Sequence, residues 1–271
     1  MEALRLLLSV PLTFKLPSSP YPEAFGTLLG LLVFSGALNF HLGVVKIFAS
    51  LSLFGVGVHT ASSKFDLLNL DALLAQENRF DVFLILGLAS SYVGDVVLIA
   101  SNYQQLPRPK SPDAHSRLKV SKFFHSLTHI SYILAFTFVG LLSDEQFRRG
   151  DFIMTIVFGW LFGEWLGLLE KERQYNSWFE IPQELQPSTV CYSFLIVLMV
   201  ATATATDTGY QRILGAWLFL LSELFTAFNA FGVVSLEQTE KTQESRGGER
   251  WSEPLGWICY YCSQFLLVGC I

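Results

Sequence analysis

The sequence predicts an all-α fold, a polytopic membrane bundle of about eight helices, and three observations carry the prediction. Only 15% of the 271 residues are charged and 51% are apolar or aromatic, against about 25% and roughly 45–50% in an average soluble domain. The mean hydropathy is +0.43. The charges are clustered, and the stretches between clusters approach the ~20 residues that a helix needs to cross a bilayer. Eight such spans use roughly 160 residues, which leaves no sizeable extramembrane domain.

The elements can be taken in chain order. Residues 1–23 begin with an acidic residue at position 2 and a single Arg in the first ten residues, with no small-residue cleavage site, so they make a poor signal peptide and read as an interfacial segment. Residues 24–271 read as one membrane domain. Its first span, Ala24–Phe40, is barely long enough, and a tight turn near Asn39 and His41 leads into the second, Leu42–Ala61. That pair also reads as re-entrant or tilted. Six longer runs follow: Val82–Ser101, Phe123–Leu142, Phe152–Leu169, Ser188–Thr206, Ile213–Val234 and Leu255–Ile271. Between them, residues 104–121 are rich in Pro and Lys/Arg and residues 236–254 in Gly and Glu, so both read as solvated, mobile loops.

With eight spans both termini share one side. Lys and Arg divide ten on the side of the third-to-fourth, fifth-to-sixth and seventh-to-eighth loops against seven on the other, which places those three loops in the cytoplasm. The net charge of −5 argues against nucleic acid as a partner, because no loop builds the basic face that phosphate binding needs. Four cysteines, three of them in the last span, do not make a disulfide framework. Gly159, Gly163 and Gly167 recur every fourth residue in the fifth span and read as a packing stripe.

Ionisable side chains within apolar spans cost a few kcal/mol each and face a cavity or a partner. Asp95 lies mid-span, with Ser91 at i−4 and Asn102 at i+7 on its face. Glu223, preceded by Ser222, has Thr226 at i+3. His125, His129 and Tyr132 share one face of the fourth span, and Tyr260 and Gln264 one face of the last. Lys46 has Ser50 at i+4, and Glu164 sits beside Trp160 and Trp165. A structural ion pair of Asp95 or Glu223 with Lys46 is the plain alternative to chemistry. His125, near the start of its apolar run, reads as interfacial, and Glu164 as structural.

His125 and His129 also have the i, i+4 spacing of a helical metal pair, and an acid would complete a three-ligand site. The spacing Cys259-x-x-Cys262 lies in an apolar helix without basic neighbours, which argues against a redox role.

This set of residues resembles the YhhN-like integral membrane proteins, whose characterised members are lysoplasmalogenases. The family pattern is Gly-Asp in the third helix, His then Tyr in the fourth, Gly-Ala-x-x-Phe-x-x-Ser-Asp in the seventh and Tyr-x-x-x-Gln in the last. Here these positions hold Gly94 and Asp95; His129 and Tyr132; Gly215, Ala216, Phe219, Ser222 and Glu223; and Tyr260 and Gln264. Tyr192, Met199 and Lys46 match more loosely. Two departures stand out: Glu223 replaces the family's Asp, and the third-to-fourth loop is longer.

The resemblance implies hydrolysis of the vinyl ether of a lysoplasmalogen to an aldehyde and a glycerophospho-base, without a cofactor or metal. It also implies a multi-pass protein of the endoplasmic reticulum or another internal membrane. The reaction needs a proton delivered to the alkene carbon and an anion to face the oxocarbenium ion, a division of labour that paired carboxyls achieve in glycosidases. Asp95 and Glu223 would be that pair. His129 and Tyr132 would orient water or hold the charge pattern. Ser91, Asn102, Ser222, Tyr260 and Gln264 would line the site for a lysophospholipid-like amphiphile drawn from membrane lipid, and Lys46 would meet its phosphate. Three other readings use the same residues: a metal-dependent lipid hydrolase built on His125 and His129, a proton-coupled transporter with Asp95 and Glu223 as coupling groups, and a silent lipid-binding relative.

Overall fold

A computed structural model describes residues 43–100, 112–142, 147–166, 181, 183–206, 209–231 and 252–269. The described residues form eight α-helices and one short 3₁₀ turn, without strands. They are α1 (Gly43–Ser62), α2 (Leu70–Leu74), α3 (Arg79–Ala100), α4 (Pro112–Leu142), α5 (Arg149–Trp165), α6 (Gln186–Ala205), α7 (Tyr210–Phe231) and α8 (Ser252–Gly269). The first expected span, the 1–23 segment and Asn102 lie outside the described residues.

Seven of these helices fall on the apolar runs marked in the sequence, and their ends follow local chemistry. Proline opens α4 and sits in the first turn of α6, where a missing N–H costs no hydrogen bond. The one-turn α2 is capped by Asn69, whose Oδ1 accepts from the Asp71 and Ala72 amides at 3.0 and 3.4 Å.

One boundary differs from the expectation. Residues 112–121, read above as part of a mobile loop, are the first turns of α4, which runs 31 residues, or about 46 Å at 1.5 Å per residue. The reason is packing: Leu118 and Ser121 are buried on the same side as His125, so the polar start of this helix has an inner face that its composition concealed. Similarly, α8 begins at Ser252, inside the second expected loop.

The long helices close a ring in which α1 packs on α3, α3 on α4, α4 on α6, α6 on α7, α7 on α8 and α8 back on α1. Helix α5 packs against α6. Gly159 permits that approach, since a Cβ there would fall 2.4 Å from Val197 Cγ1; of the other two glycines read as a packing stripe, Gly163 borders a cavity and Gly167 is outside the described residues. Inside the ring, Leu84, Leu88, Tyr132, Phe136, Met199, Phe219 and Tyr261 form the core.

Beside this apolar core the ring also encloses polar side chains, and large apolar ones lie on its outside. Asp95, His125, His129, Thr128, Ser263 and Gln264 are buried, while Phe48, Phe123, Met154, Phe158, Trp160, Leu161, Trp165 and Phe194 are exposed. By length and composition, two helical stretches among the described residues can cross a membrane, Gln76–Ile99 and Gln186–Ala205. The inward His, Glu and Gln side chains of α4, α7 and α8 lower the hydropathy of those helices.

Candidate functional site

Asp95 occupies the middle of α3 and is buried at 2% exposure, so its carboxyl must find partners inside the ring. Three other helices supply them. Ser50 of α1 donates to Oδ2 at 2.6 Å, Tyr260 of α8 donates to the same oxygen at 2.7 Å, and His125 Nε2 of α4 lies 3.2 Å from Oδ1. Ser91, one turn before Asp95, is 2.6 Å from the Tyr260 hydroxyl. Since Tyr260 has one proton and gives it to Asp95, Ser91 is the donor in that contact. The polar stripe seen on this helix is therefore a relay, Ser91 to Tyr260 to Asp95.

His125 is fixed from its other side. Its Nδ1 is 2.9 Å from the Ser121 carbonyl oxygen. A carbonyl only accepts, so Nδ1 carries a hydrogen, and the Nε2–Oδ1 contact holds one proton between imidazole and carboxyl. Ser121 in turn donates through Oγ to the Gly94 carbonyl at 2.9 Å. Gly94 explains the small residue beside the acid: a Cβ there would lie 2.5 Å from Cε1 and Nδ1 of His125. Any larger side chain pushes the imidazole off Asp95. The interfacial reading of His125 is thus corrected. It lies roughly four turns inside α4 because that helix starts at Pro112.

Asp95 and Glu223 line one cavity of about 170 Å³ bounded by α3 to α8. Ser121, Lys122 and His125 of α4, Thr189 and Tyr192 of α6, Ser222 of α7 and Tyr260 of α8 supply its polar wall. Phe158 and Phe162 of α5, with Ile196, Val197 and Leu220, make the rest apolar. Glu223 accepts a hydrogen bond from the buried Tyr192 hydroxyl and lies within electrostatic reach of Asp95, His125 and Lys122. Lys122 Nζ donates to Thr189 Oγ1 at 2.5 Å.

The remaining expected residues take other places. Ser222 lines the cavity, with its hydroxyl turned back to the Phe219 carbonyl at 2.7 Å. His129, Tyr132 and Gln264 sit in the core beside the cavity and do not line it. Tyr132 donates to Gln264 Oε1 at 2.6 Å, so Gln264 serves Tyr132 rather than either acid. His129 packs on Tyr192 and Phe219, with Nδ1 3.4 Å from Met199 Sδ. The Nε2 atoms of His129 and Gln264 make no hydrogen bond among the described residues. Lys46 places its ammonium 4.6 Å from the Trp257 ring centroid, and its carbonyl accepts from Tyr261 at 2.8 Å. Glu164 is exposed and accepts from Trp160 Nε1 at 3.0 Å, the structural role expected of it.

No group of three or more His, Cys, Asp or Glu side chains is placed to hold a metal among the described residues. His125 points to Asp95 while His129 points to Met199, so the two rings do not converge on a common ligand position. Several residues of the site were not singled out for it: Ser121, Lys122 and Thr189, and Ser50 was noted only for its place one turn from Lys46. Ser50 and Ser121 look like ordinary helix serines in sequence, and Lys122 falls at the edge of an apolar run where a lysine is expected at a lipid headgroup. Only the matching face of α4 at 121, 122 and 125 carried a signal.

The comparison with known families gives one result. The pattern of the YhhN family matches residues 44–271, from the start of α1 to the C-terminus. No curated protein and no solved structure matches the chain significantly. The matched region takes in every helix of the ring and both acids of the cavity, and the chain belongs to the YhhN family.

Proposed function

We propose that the protein is a multi-pass membrane hydrolase of the lysoplasmalogenase type, acting on the vinyl ether of a single-chain glycerophospholipid. The observation that carries the reading is the meeting of Asp95 and Glu223, from α3 and α7, on one largely apolar cavity. The ring buries polar groups and exposes large apolar ones, which suits insertion in lipid. Helix α5 contributes an apolar wall, which suits an acyl-like chain.

The chemistry follows from the hydrogen-bond pattern. Asp95 receives two hydroxyl donors on Oδ2 and faces an imidazole N–H on Oδ1, the acceptor pattern of a carboxylate. On this reading it is the anion. Glu223, which accepts from the Tyr192 hydroxyl on the wall of the same cavity, is the proton donor. It protonates the alkene carbon distal to the ether oxygen, and the positive charge develops on the oxygen-bearing carbon as an oxocarbenium ion opposite Asp95. Water adds to that carbon and loses its proton towards the Asp95–His125 pair. The hemiacetal then breaks its C–O bond to the glycerol, giving an aldehyde and the free glycerol hydroxyl. Proton transfers of this kind contribute about 10²–10⁴-fold each.

The test is release of aldehyde by the purified protein from a lysoplasmalogen and from its saturated-ether analogue. Aldehyde from the vinyl ether alone is expected. If neither lipid is cleaved by folded protein, the hydrolase reading is wrong.

A further inference from the structure

Resting on that reading, we propose that Lys122, positioned by Thr189, seats the phosphate of the substrate, and that this seat selects phosphorylated single-chain lipids over neutral ones. The argument begins with charge. A phosphodiester that leaves water for a largely apolar cavity is costly there unless a cation meets it. Among the described residues that line the cavity, Lys122 is the one ammonium or guanidinium. Lys46, to which the sequence assigned the phosphate, lies over Trp257 and is not a lining residue.

The placement of Lys122 is built. Its Nζ donates to Thr189 Oγ1 at 2.5 Å, and Thr189 uses its own proton on the Leu185 carbonyl at 2.8 Å. Thr189 therefore acts as a fixed acceptor that holds the ammonium on the α4–α6 side of the cavity.

Distance fits the substrate as well. Lys122 and His125 are i, i+3 on α4 and lie about one turn, or ~5 Å, apart along the helix. A three-carbon glycerol with bonds of about 1.5 Å spans a similar length. A phosphate on Lys122 thus leaves the ether end beside the His125–Asp95 pair, and the chain beyond it runs along Phe158, Phe162, Val197 and Leu220.

Binding to the full-length protein in detergent tests this, with three probes: a saturated 1-O-alkyl glycerophosphoethanolamine, the 1-O-alkylglycerol of the same chain, and glycerophosphoethanolamine without a chain. The wild type should prefer the phosphorylated lipid over the alkylglycerol about tenfold or more, the scale of a charge-assisted hydrogen bond. Lys122→Met should abolish the preference and leave alkylglycerol binding unchanged, and Lys122→Arg should keep most of it. Equal binding of both lipids by the wild type, or a preference that survives in Lys122→Met, overturns the proposal. If Lys122→Met does not fold, Thr189→Val decides, since the preference should drop several-fold and an unchanged value overturns the seat. Tight binding of the chainless headgroup would contradict the assignment to a lipid. A wild type that shows the preference but releases no aldehyde would sink the hydrolase reading and leave the phosphate seat standing.

Discussion

His125 Nε2 lies 3.2 Å from Asp95 Oδ1, and the Ser121 carbonyl on the opposite ring nitrogen obliges that contact to hold a single proton. An imidazole so placed both orients the carboxyl and takes or returns a proton when water is activated. Replacing His125 by Gln preserves a donor towards Asp95 and removes the titratable ring. The variant should fold, bind a saturated ether analogue as the wild type does, and turn over about 10²-fold more slowly. Steady-state kinetics beside binding of the unreactive analogue measures both; an unchanged kcat would remove His125 from the chemistry.

Gly94→Ala should act through His125. The added methyl would meet the imidazole at 2.5 Å, so the ring must leave Asp95 or the helices must part. A tenfold or greater loss of kcat is expected, because about 1 Å of misplacement is costly in a catalytic group. Gly55→Ala is the control: a Cβ there meets nothing within 4 Å. It should leave activity alone and raise stability by about 0.5–1 kcal/mol, as Gly to Ala does inside a helix. Thermal unfolding and activity of the two variants, compared side by side, check the contrast.

How much of this was legible beforehand depended on whether the signal was local. The helices were readable because charges in a chain of this composition mark the ends of apolar runs, and α1 and α3 to α8 sit on those runs. Asp95 and Glu223 were readable because an acid inside such a run is rare. What the sequence could not show was who answers Asp95 across the ring. Ser50 and Tyr260 come from helices far apart in the chain, and no periodicity reports a contact between α1, α3 and α8. His125 was misread because the charged residues at 112–121 resemble a loop; buried Leu118 and Ser121 make them helix. Tyr132 was expected to orient water or hold the charge pattern and Gln264 to line the site with Tyr260, but the two bond to each other beside the cavity rather than on it.

That bond gives a separate prediction about stability. Tyr132→Phe removes the 2.6 Å bond to Gln264 Oε1 and leaves a buried amide whose Nε2 already makes no hydrogen bond among the described residues. Loss of one partner of a buried pair costs about 1–3 kcal/mol. The melting temperature in detergent should fall, while kcat of the remaining folded protein stays within a few-fold of wild type. A large loss of kcat at unchanged stability would place Tyr132 in the chemistry instead.

A chelator distinguishes the paired-carboxyl mechanism from a metal-dependent one. His125 and His129 address different partners, and no three-ligand cluster forms among the described residues. Activity should therefore survive dialysis against a strong chelator, with no gain on adding zinc back. Loss of activity that zinc restores would revive the metal reading.

The central claim is that Asp95 and Glu223 act together on the vinyl ether. Its most direct measurement is aldehyde release by purified wild type, Asp95→Asn and Glu223→Gln, each shown to bind the saturated-ether analogue. The account predicts that either substitution alone lowers the rate about 10²-fold or more, with analogue binding retained. Wild-type aldehyde release by either variant would contradict it.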